Sequence, residues 1–251
     1  MSASVTTEVL LLALLVFLLA GTVKGVLGIG LPTISISILA QFVDPRVAIA
    51  FLLLPALVTN TWQIYRGGQI KRSVLKLWPF VSAMSVVMFI SSLYATRAST
   101  DALVLGIGVM VVLWTITSLI KTPSAVPAHY DRPVQFVLGA LSGLMGGLTA
   151  IWSPPMVIYL LSIKCDKEDF VRFTGFMILS GTVPLIIGYL LNGLLDKKLA
   201  IASLMMIIPT LLGFSIGEYL RRFLGGRQFH NVVLVLFFLM GLNLIRRSFV
   251  L

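Results

Sequence analysis

One charged side chain, Lys24, lies deep inside a long apolar stretch of this sequence. A lysine at the centre of a membrane costs roughly 2.5–3.5 kcal/mol on insertion scales, so its charge needs compensation. Three kinds of compensation for the charge are open. The stem can lie along the helix while the ammonium reaches the interface, or the ammonium can bond to free backbone carbonyls. In the third, which we favour as the hypothesis, Lys24 faces a wet cavity and attracts an anion.

Glycines and prolines interrupt two apolar stretches, and Lys24 lies in the first interruption. Glycine tolerates left-handed backbone, whereas proline lacks an N–H group and restricts the residue before it. Each interruption therefore predicts two half-helices joined by irregular backbone, which is tolerated at membrane depth only if it is buried or lines a wet cavity. Half-helices starting near Pro32 and Pro154 would direct positive dipole ends toward an anion.

Polar side chains near the interruptions extend the set of candidate residues. The Thr33 and Ser153 hydroxyls could donate to an anion, although packing is the favoured explanation for each hydroxyl alone. Trp152 could form a gate or a platform beside the anion, and ordinary packing explains it equally well. The predicted anion-binding residues are Lys24, Gly25, Gly28, Gly30, Thr33, Asn60, Gly143, Gly146, Gly147, Trp152 and Ser153.

The second apolar segment has three polar residues near its end, Asn60, Gln63 and Arg66. Asn60 and Gln63 are three residues apart and lie on one helical face. All three could line a vestibule or anchor the helix at the membrane interface. Their position near the segment end favours anchoring.

Eight apolar segments must position these residues. They are 9–43, 47–65, 77–96, 102–120, 134–163, 173–191, 199–219 and 229–245. Charged residues make up 11% of the chain, against roughly 25% in a soluble domain. A membrane span needs about 20 apolar residues. The sequence therefore predicts an all-α integral membrane protein, one membrane domain over residues 1–251.

The two halves of the chain share one segment order and one glycine pattern. Gly21, Gly25 and Gly28 recur 118 residues later as Gly139, Gly143 and Gly146. This pattern indicates two homologous repeats, 1–121 and 133–251, joined by a polar linker, 122–132.

The distribution of basic residues bears on how each long first segment is arranged. If both segments turn back as re-entrant hairpins, twelve Lys and Arg residues lie on one side and six on the other; if both cross, the split is ten to eight. The positive-inside rule favours the hairpins, with three further transmembrane helices per repeat. The repeats would then be inverted, with both termini outside. The eight-span alternative stays open.

Several classes of site and function are disfavoured by composition. Cys165 is the only cysteine, so no intrachain disulfide forms, and the two histidines, His129 and His230, lie outside the apolar interiors. No metal, haem or other cofactor is predicted. A serine enzyme would lack its base, and despite the net charge of +10 there is no soluble part to build a nucleic-acid groove.

The nine acidic residues lie in loops or at segment ends. Glu218, the most embedded, is expected to pair with Arg221 or Arg222 one turn on. Proton-coupled carriers usually place a carboxylate or histidine within a span. An anion leaving a cell that is negative inside gains about 2.3 kcal/mol per charge per 100 mV. We therefore expect facilitated, electrogenic movement of anions.

The glycine motifs of both halves together resemble the TauE/SafE sulfite exporter family. The resembling residues are Gly21, Gly25, Gly28, Gly30 and Pro32; Gly139, Gly143, Gly146 and Gly147 with Ser153-Pro154-Pro155 and Tyr159-Leu160; and Tyr65-Arg66, Gly68 and Ile70. The resemblance covers nearly the whole chain in order. Two departures are Lys24 itself and the stretch Ala150 to Ser153, where the family usually has more glycines.

The resemblance implies a multi-pass protein of the inner (plasma) membrane that exports small anions such as sulfite, sulfonates or organosulfur carboxylates. The anion would bind between the two glycine-rich breaks. An anion uptake permease and a non-transport membrane assembly factor are the alternatives. The implied partners are the anion and the lipid bilayer. Which anion is carried, in which direction, and in which oligomeric state (a homodimer among them) stay open.

Overall fold

A computed structural model describes residues 6–95, 97–119, 125–221, 238–239, 241–246 and 248–249. Regular secondary structure among these residues is helical throughout. Five helical stretches are long and apolar enough to cross a membrane: Thr7–Leu27, Pro45–Gly67, Ile70–Leu93, Glu168–Leu191 and Lys197–Leu220. The last of these is divided at Met206 into two helices. The prediction of an all-α protein is thereby confirmed, and the five apolar stretches are consistent with an integral membrane protein.

Up to residue 221 the described residues form ten α-helices and one short 3-10 turn, Ala128–Tyr130, and residues 241–246 are helical as well. The α-helices are α1 Thr7–Leu27, α2 Leu31–Leu39, α3 Pro45–Gly67, α4 Ile70–Leu93, α5 Thr100–Leu119, α6 Asp131–Thr149, α7 Ser153–Ser162, α8 Lys167–Leu191, α9 Lys197–Met205 and α10 Ile207–Leu220. Most of the predicted last segment, 229–245, with His230, and residues 122–124 of the predicted linker lie outside the described residues.

Both long apolar segments are interrupted where glycine and proline predicted it. Gly28 and Gly30 adopt φ values of 80° and 107°, which separate α1 from α2. Ala150 closes α6 with a φ of 54°, a left-handed conformation that costs a non-glycine residue about 1–2 kcal/mol. The chain then turns into α7, whose first turn contains two prolines.

A proline inside α3 leaves a backbone carbonyl of that helix free to bond to α9. Pro55 has no N–H group, so the Phe51 carbonyl lacks its usual helical donor. The Ser203 hydroxyl of α9 donates to that carbonyl at 3.0 Å and accepts from the Leu54 N–H at 3.1 Å. A neighbouring helix thus satisfies the backbone that proline frees within the membrane.

Helices α1 and α10 pack so closely that their backbones touch. A Cβ atom added to Gly21 would overlap the carbonyl oxygen of Thr210, and one added to Gly25 would overlap that of Phe214. Both contacts advance in the same direction along the two chains, so α1 and α10 run parallel. Small residues allow this close approach of helices in membranes.

Helices α6 and α4 make the same kind of contact. A Cβ atom on Gly139 would overlap the carbonyl oxygen of Phe80, and one on Gly143 would overlap that of Met84. These two helices also run parallel. The glycines lie 118 residues after their counterparts on α1, and the carbonyls lie 130 residues before theirs on α10.

Several loops between helices lie at one end of the molecule, which we call the basic end, and polar contacts join them there. It comprises the α3–α4 and α7–α8 connections, the start of α6 and the end of α10. Arg72 pairs with Asp169 at 2.8 Å, Lys76 pairs with Asp131 at 3.2 Å, and Arg172 donates to the Gly67 carbonyl at 3.0 Å.

The opposite end holds the connections before α3, after α4 and after α8. There Arg46 donates to the Ala95 carbonyl at 3.1 Å, and Asn192 donates to the Ser92 carbonyl at 3.2 Å.

Candidate functional site

A cavity of about 460 Å³ lies at the basic end. The last turns of α1, α3 and α10 and the first turn of α8 enclose it. Its lining residues are Lys24, Gly25, Gly28, Trp62, Gln63, Arg66, Gly67, Glu168, Val171, Arg172, Phe214, Glu218 and Arg221. Four of these side chains are basic and two are acidic, a balance that favours an anionic ligand.

Lys24 is the buried cation of this cavity, with 1% of its surface exposed. Its Nζ atom lies 3.0 Å from Thr59 Oγ1 and 2.6 Å from Asn60 Oδ1. The Thr59 hydroxyl donates its proton to the Pro55 carbonyl, and the Asn60 amide nitrogen donates to the Ala56 carbonyl. Both oxygens facing Lys24 are therefore acceptors, and α3 is arranged to hold an ammonium.

The surroundings of Lys24 leave part of the ammonium unpaired. An ammonium has three N–H donors, and Thr59 and Asn60 accept two of them. The Phe214 ring lies 6.0 Å from Nζ, and among the described residues no carboxylate forms an ion pair with it. The buried position does not fit snorkelling to the interface, and side chains rather than freed carbonyls hold the ammonium.

Gln63 ties the first break to two other helices. Its Nε2 atom lies 2.7 Å from the Val171 carbonyl of α8 and 3.4 Å from the Gly28 carbonyl at the end of α1. Thr174 Oγ1 is a third acceptor at 3.4 Å. Gln63 is buried and therefore does not anchor α3 at the interface; it lines the cavity together with Arg66, for which anchoring stays a prediction.

An ion pair stands at the mouth of the cavity. Arg66 Nη1 lies 2.8 Å from Glu218 Oε2, and the two side chains are 55% and 37% exposed. Glu218 thus pairs with Arg66 of α3, which corrects the expectation that it pairs with Arg221 or Arg222; Arg222 lies outside the described residues. An exposed pair of this kind contributes about 0.2–1 kcal/mol, so it can open at little cost.

The predicted binding residues of the second break lie elsewhere. Gly143, Gly146 and Gly147 pack against α4, and a Cβ atom on Gly146 would overlap Met88. Trp152 is buried, its carbonyl accepts from Ser142 at 3.2 Å, and its indole N–H has no partner among the described residues.

The half-helix N-termini do not line the cavity. Gly30, at the start of α2, faces Ile34 and Val23, and Thr33 is buried with no partner for its hydroxyl among the described residues. Ser153 is likewise buried at the start of α7. The cavity meets the C-terminal end of α1 instead, whose partial negative charge favours the Lys24 cation.

The two breaks lie on separate helix interfaces, since α1 packs on α10 while α6 packs on α4. The structure brings together Lys24, Gly25, Gly28 and Asn60. The binding roles of Gly30, Thr33 and the residues of the second break stay predictions.

Cys165 lies in the connection between α7 and α8, outside the cavity. Burial, followed by the charges of Asp169 and Asp166, raises the pKa of its thiol to about 11 from an ordinary 9.0. Because the thiolate is the nucleophile, we expect alkylation at pH 8 to be about 100-fold slower than for a free thiol and to rise about tenfold per pH unit. Iodoacetamide labelling from pH 7 to 10, followed by mass spectrometry, checks this. A rate equal to that of N-acetylcysteine at pH 8 would contradict it.

The sequence profile of one known protein family, described as sulfite exporter TauE/SafE, matches residues 13–244, which is nearly the whole chain. Neither a curated protein nor a solved structure matches the chain.

Proposed function

Because this chain belongs to the TauE/SafE sulfite exporter family, whose members are membrane anion exporters, we propose that it exports small anions with Lys24 at the binding site. Sulfite, sulfonates and organosulfur carboxylates are the proposed substrates, and the inner (plasma) membrane is the proposed location. The observation that carries this proposal is a buried ammonium, without a carboxylate partner among the described residues, in the wall of a cavity. The family is one of transporters, which favours a carrier over an enzyme.

A bound anion would give Lys24 a counter-charge and an acceptor for its remaining N–H. Burial of an ammonium without a counter-charge carries a penalty of several kcal/mol. Thr59 and Asn60 replace part of its hydration, and an oxyanion at the remaining N–H would add a charge-assisted hydrogen bond. Arg66 pairs with Glu218 and Arg172 pairs with Asp169, but the cavity lining still has two more basic than acidic side chains, which adds long-range attraction for the same charge.

We propose that each interrupted segment is a hairpin whose two ends lie on the same side of the membrane, with a first helix of 21 (α1) or 19 (α6) residues and a second helix of 9 (α2) or 10 (α7) residues. Arg72 in the α3–α4 connection pairs with Asp169 at the start of α8, so both connections lie at one end of the molecule. In the hairpin topology these connections lie on the same side of the membrane, whereas in the eight-span topology they lie on opposite sides. The contact therefore supports the hairpins.

Inverted repeats account for the paired glycine contacts. The α1–α10 contacts, Gly21 to Thr210 and Gly25 to Phe214, have equivalents in the α6–α4 contacts of Gly139 and Gly143. Such correspondence is expected when repeats 1–121 and 133–251 share one structure. In transporters of this plan one repeat moves against the other and exposes the site to each side in turn.

Transport by the purified protein in liposomes tests the function. Liposomes loaded with sulfite, 2-hydroxyethanesulfonate or sulfoacetate should lose the anion faster than protein-free liposomes, and faster still when the interior is made negative. Flux that responds only to inward gradients would favour an uptake permease. Absence of flux for the whole panel would contradict transport and favour a membrane assembly factor.

The topology is tested by cysteine labelling in a Cys165→Ser background. Single cysteines at Lys71 and His129 should react with an impermeant maleimide from the cytoplasmic side, and one at Lys197 should react from the outside. All three positions are exposed. The eight-span topology places Lys71 and Lys197 on the same side, so labelling of both from one side would refute the hairpins.

A further inference from the structure

Gln63 carries a buried hydrogen-bond acceptor that no described residue satisfies. The side chain is 6% exposed, it lines the cavity, and its Oε1 atom receives no hydrogen bond from the described part of the chain. Leaving a buried carbonyl oxygen unpaired is unfavourable, because the atom has lost its hydrogen bonds to water. Most such atoms in folded proteins have a partner, so this one requires an explanation.

The orientation of the amide is determined by its neighbours. Nε2 faces the carbonyl oxygens of Val171 and Gly28, which only accept. Thr174, the third neighbour, donates its hydroxyl proton to the Val171 carbonyl at 3.0 Å and so presents an acceptor as well. Exchanging the amide oxygen and nitrogen would set oxygen against three acceptors. None of these three groups can donate to Oε1, and the cavity that Gln63 lines is the adjoining space from which a donor can come.

Gln63 and Lys24 line the same cavity. Gln63 follows Asn60, the Lys24 partner, by three residues on α3, which places the two side chains on one face of the helix about 5–6 Å apart at Cβ. The Gly28 carbonyl accepts from Gln63, and the Gly28 N–H donates to the backbone carbonyl of Lys24 at 2.7 Å. The cavity wall thus offers an ammonium donor and, about one turn away, an amide acceptor.

We infer that Gln63 selects anions that bring their own hydrogen-bond donor. The chemical class comprises singly protonated oxyanions and sulfonates or carboxylates with a hydroxyl or amino group. An oxygen of the anion accepts from Lys24, while its O–H or N–H donates to Gln63 Oε1. An anion without a donor leaves Oε1 unpaired, as it is among the described residues. This inference rests on the proposed function of the same cavity.

Two matched pairs of anions test the inference in purified protein. Binding is compared for 2-hydroxyethanesulfonate and ethanesulfonate, and for glycolate and acetate, by isothermal titration calorimetry. The wild-type protein should bind the hydroxylated member about tenfold more tightly, the effect of one paired acceptor of about 1.4 kcal/mol. In Gln63→Met the two members of each pair should bind within about twofold of each other.

Gln135→Met is the matched control. Gln135 is also buried with an unpaired Oε1 among the described residues, but it does not line the cavity, so its substitution should leave the tenfold preference unchanged. Equal affinity within each pair for the wild-type protein overturns the inference, whether or not Gln63→Met folds. A preference that persists in folded Gln63→Met overturns it too. If no anion binds at all, the proposed function fails instead.

Discussion

Replacing Lys24 with methionine should weaken anion binding about 100-fold and leave the protein folded in the membrane. Removing one partner of a buried, hydrogen-bonded charge pair costs about 2–5 kcal/mol in binding, and about 2.8 kcal/mol corresponds to 100-fold. Methionine keeps the length of the side chain. In the protein without a ligand, the substitution removes both the desolvation penalty of the buried ammonium and its hydrogen bonds to Thr59 and Asn60. These two effects oppose each other, so the melting temperature should change little. Calorimetric titration with 2-hydroxyethanesulfonate and a thermal melt measure both quantities.

Lys198→Met is the control for this substitution, because Lys198 is exposed in the first turn of α9 at the opposite end of the molecule. It should bind the anion like the wild-type protein. Lys24→Arg should keep part of the affinity, since the charge remains but the compact ammonium between Thr59 and Asn60 is lost. Unchanged affinity in folded Lys24→Met would remove Lys24 from the site.

Alanine at Gly25 or at Gly143 should each destabilise the protein strongly. The added Cβ atom would overlap a backbone carbonyl of the neighbouring helix, Phe214 in one case and Met84 in the other, so the two helices must separate. Overpacking typically costs about 1–3 kcal/mol, and about 3 kcal/mol lowers the melting temperature of a chain of this size by roughly 6–12 °C. Thermal melts in detergent measure the loss.

Gly67→Ala is the matched control for these two substitutions. Gly67 ends α3, and an added Cβ atom there meets only Arg172, at ordinary contact distances of 3.6 Å or more. Its melting temperature should stay within about 2 °C of the wild-type value. Similar melting temperatures for all three variants would show that the backbones of α1 and α10, and of α4 and α6, are not in contact.

The breaks in the helices were predictable because their causes are local. Gly28, Gly30 and Pro32 act on the backbone they belong to, and so do Pro154 and Pro155. Ala150 is the exception: its type gives no indication of the left-handed backbone, which the surrounding packing imposes. Lys24 was predictable as a site residue because a charge in an apolar segment must have a partner or a ligand.

The rest of the site depends on contacts between distant parts of the chain. Glu218 has arginines one turn away in sequence, yet it pairs with Arg66, which lies 152 residues earlier. Gln63 lies near the end of its segment, as an anchoring residue would, but α8 packs over it and encloses it in the cavity. Hydropathy and local spacing report which residues are near a helix end, and they do not report which helix covers that end.

Locating a bound anion in a crystal structure is the decisive test of whether Lys24 lies at the binding site. Crystals of the Cys165→Ser protein can be soaked in selenite, whose singly protonated form carries both oxygen acceptors and an O–H donor, and selenium can be located by anomalous diffraction. We expect one dominant selenium peak in the cavity, within about 4 Å of Lys24 Nζ, where an oxyanion oxygen reaches hydrogen-bonding distance. A dominant peak at the Ala150 break or at the start of α2 or α7, with none beside Lys24, would show that the anion does not bind at Lys24.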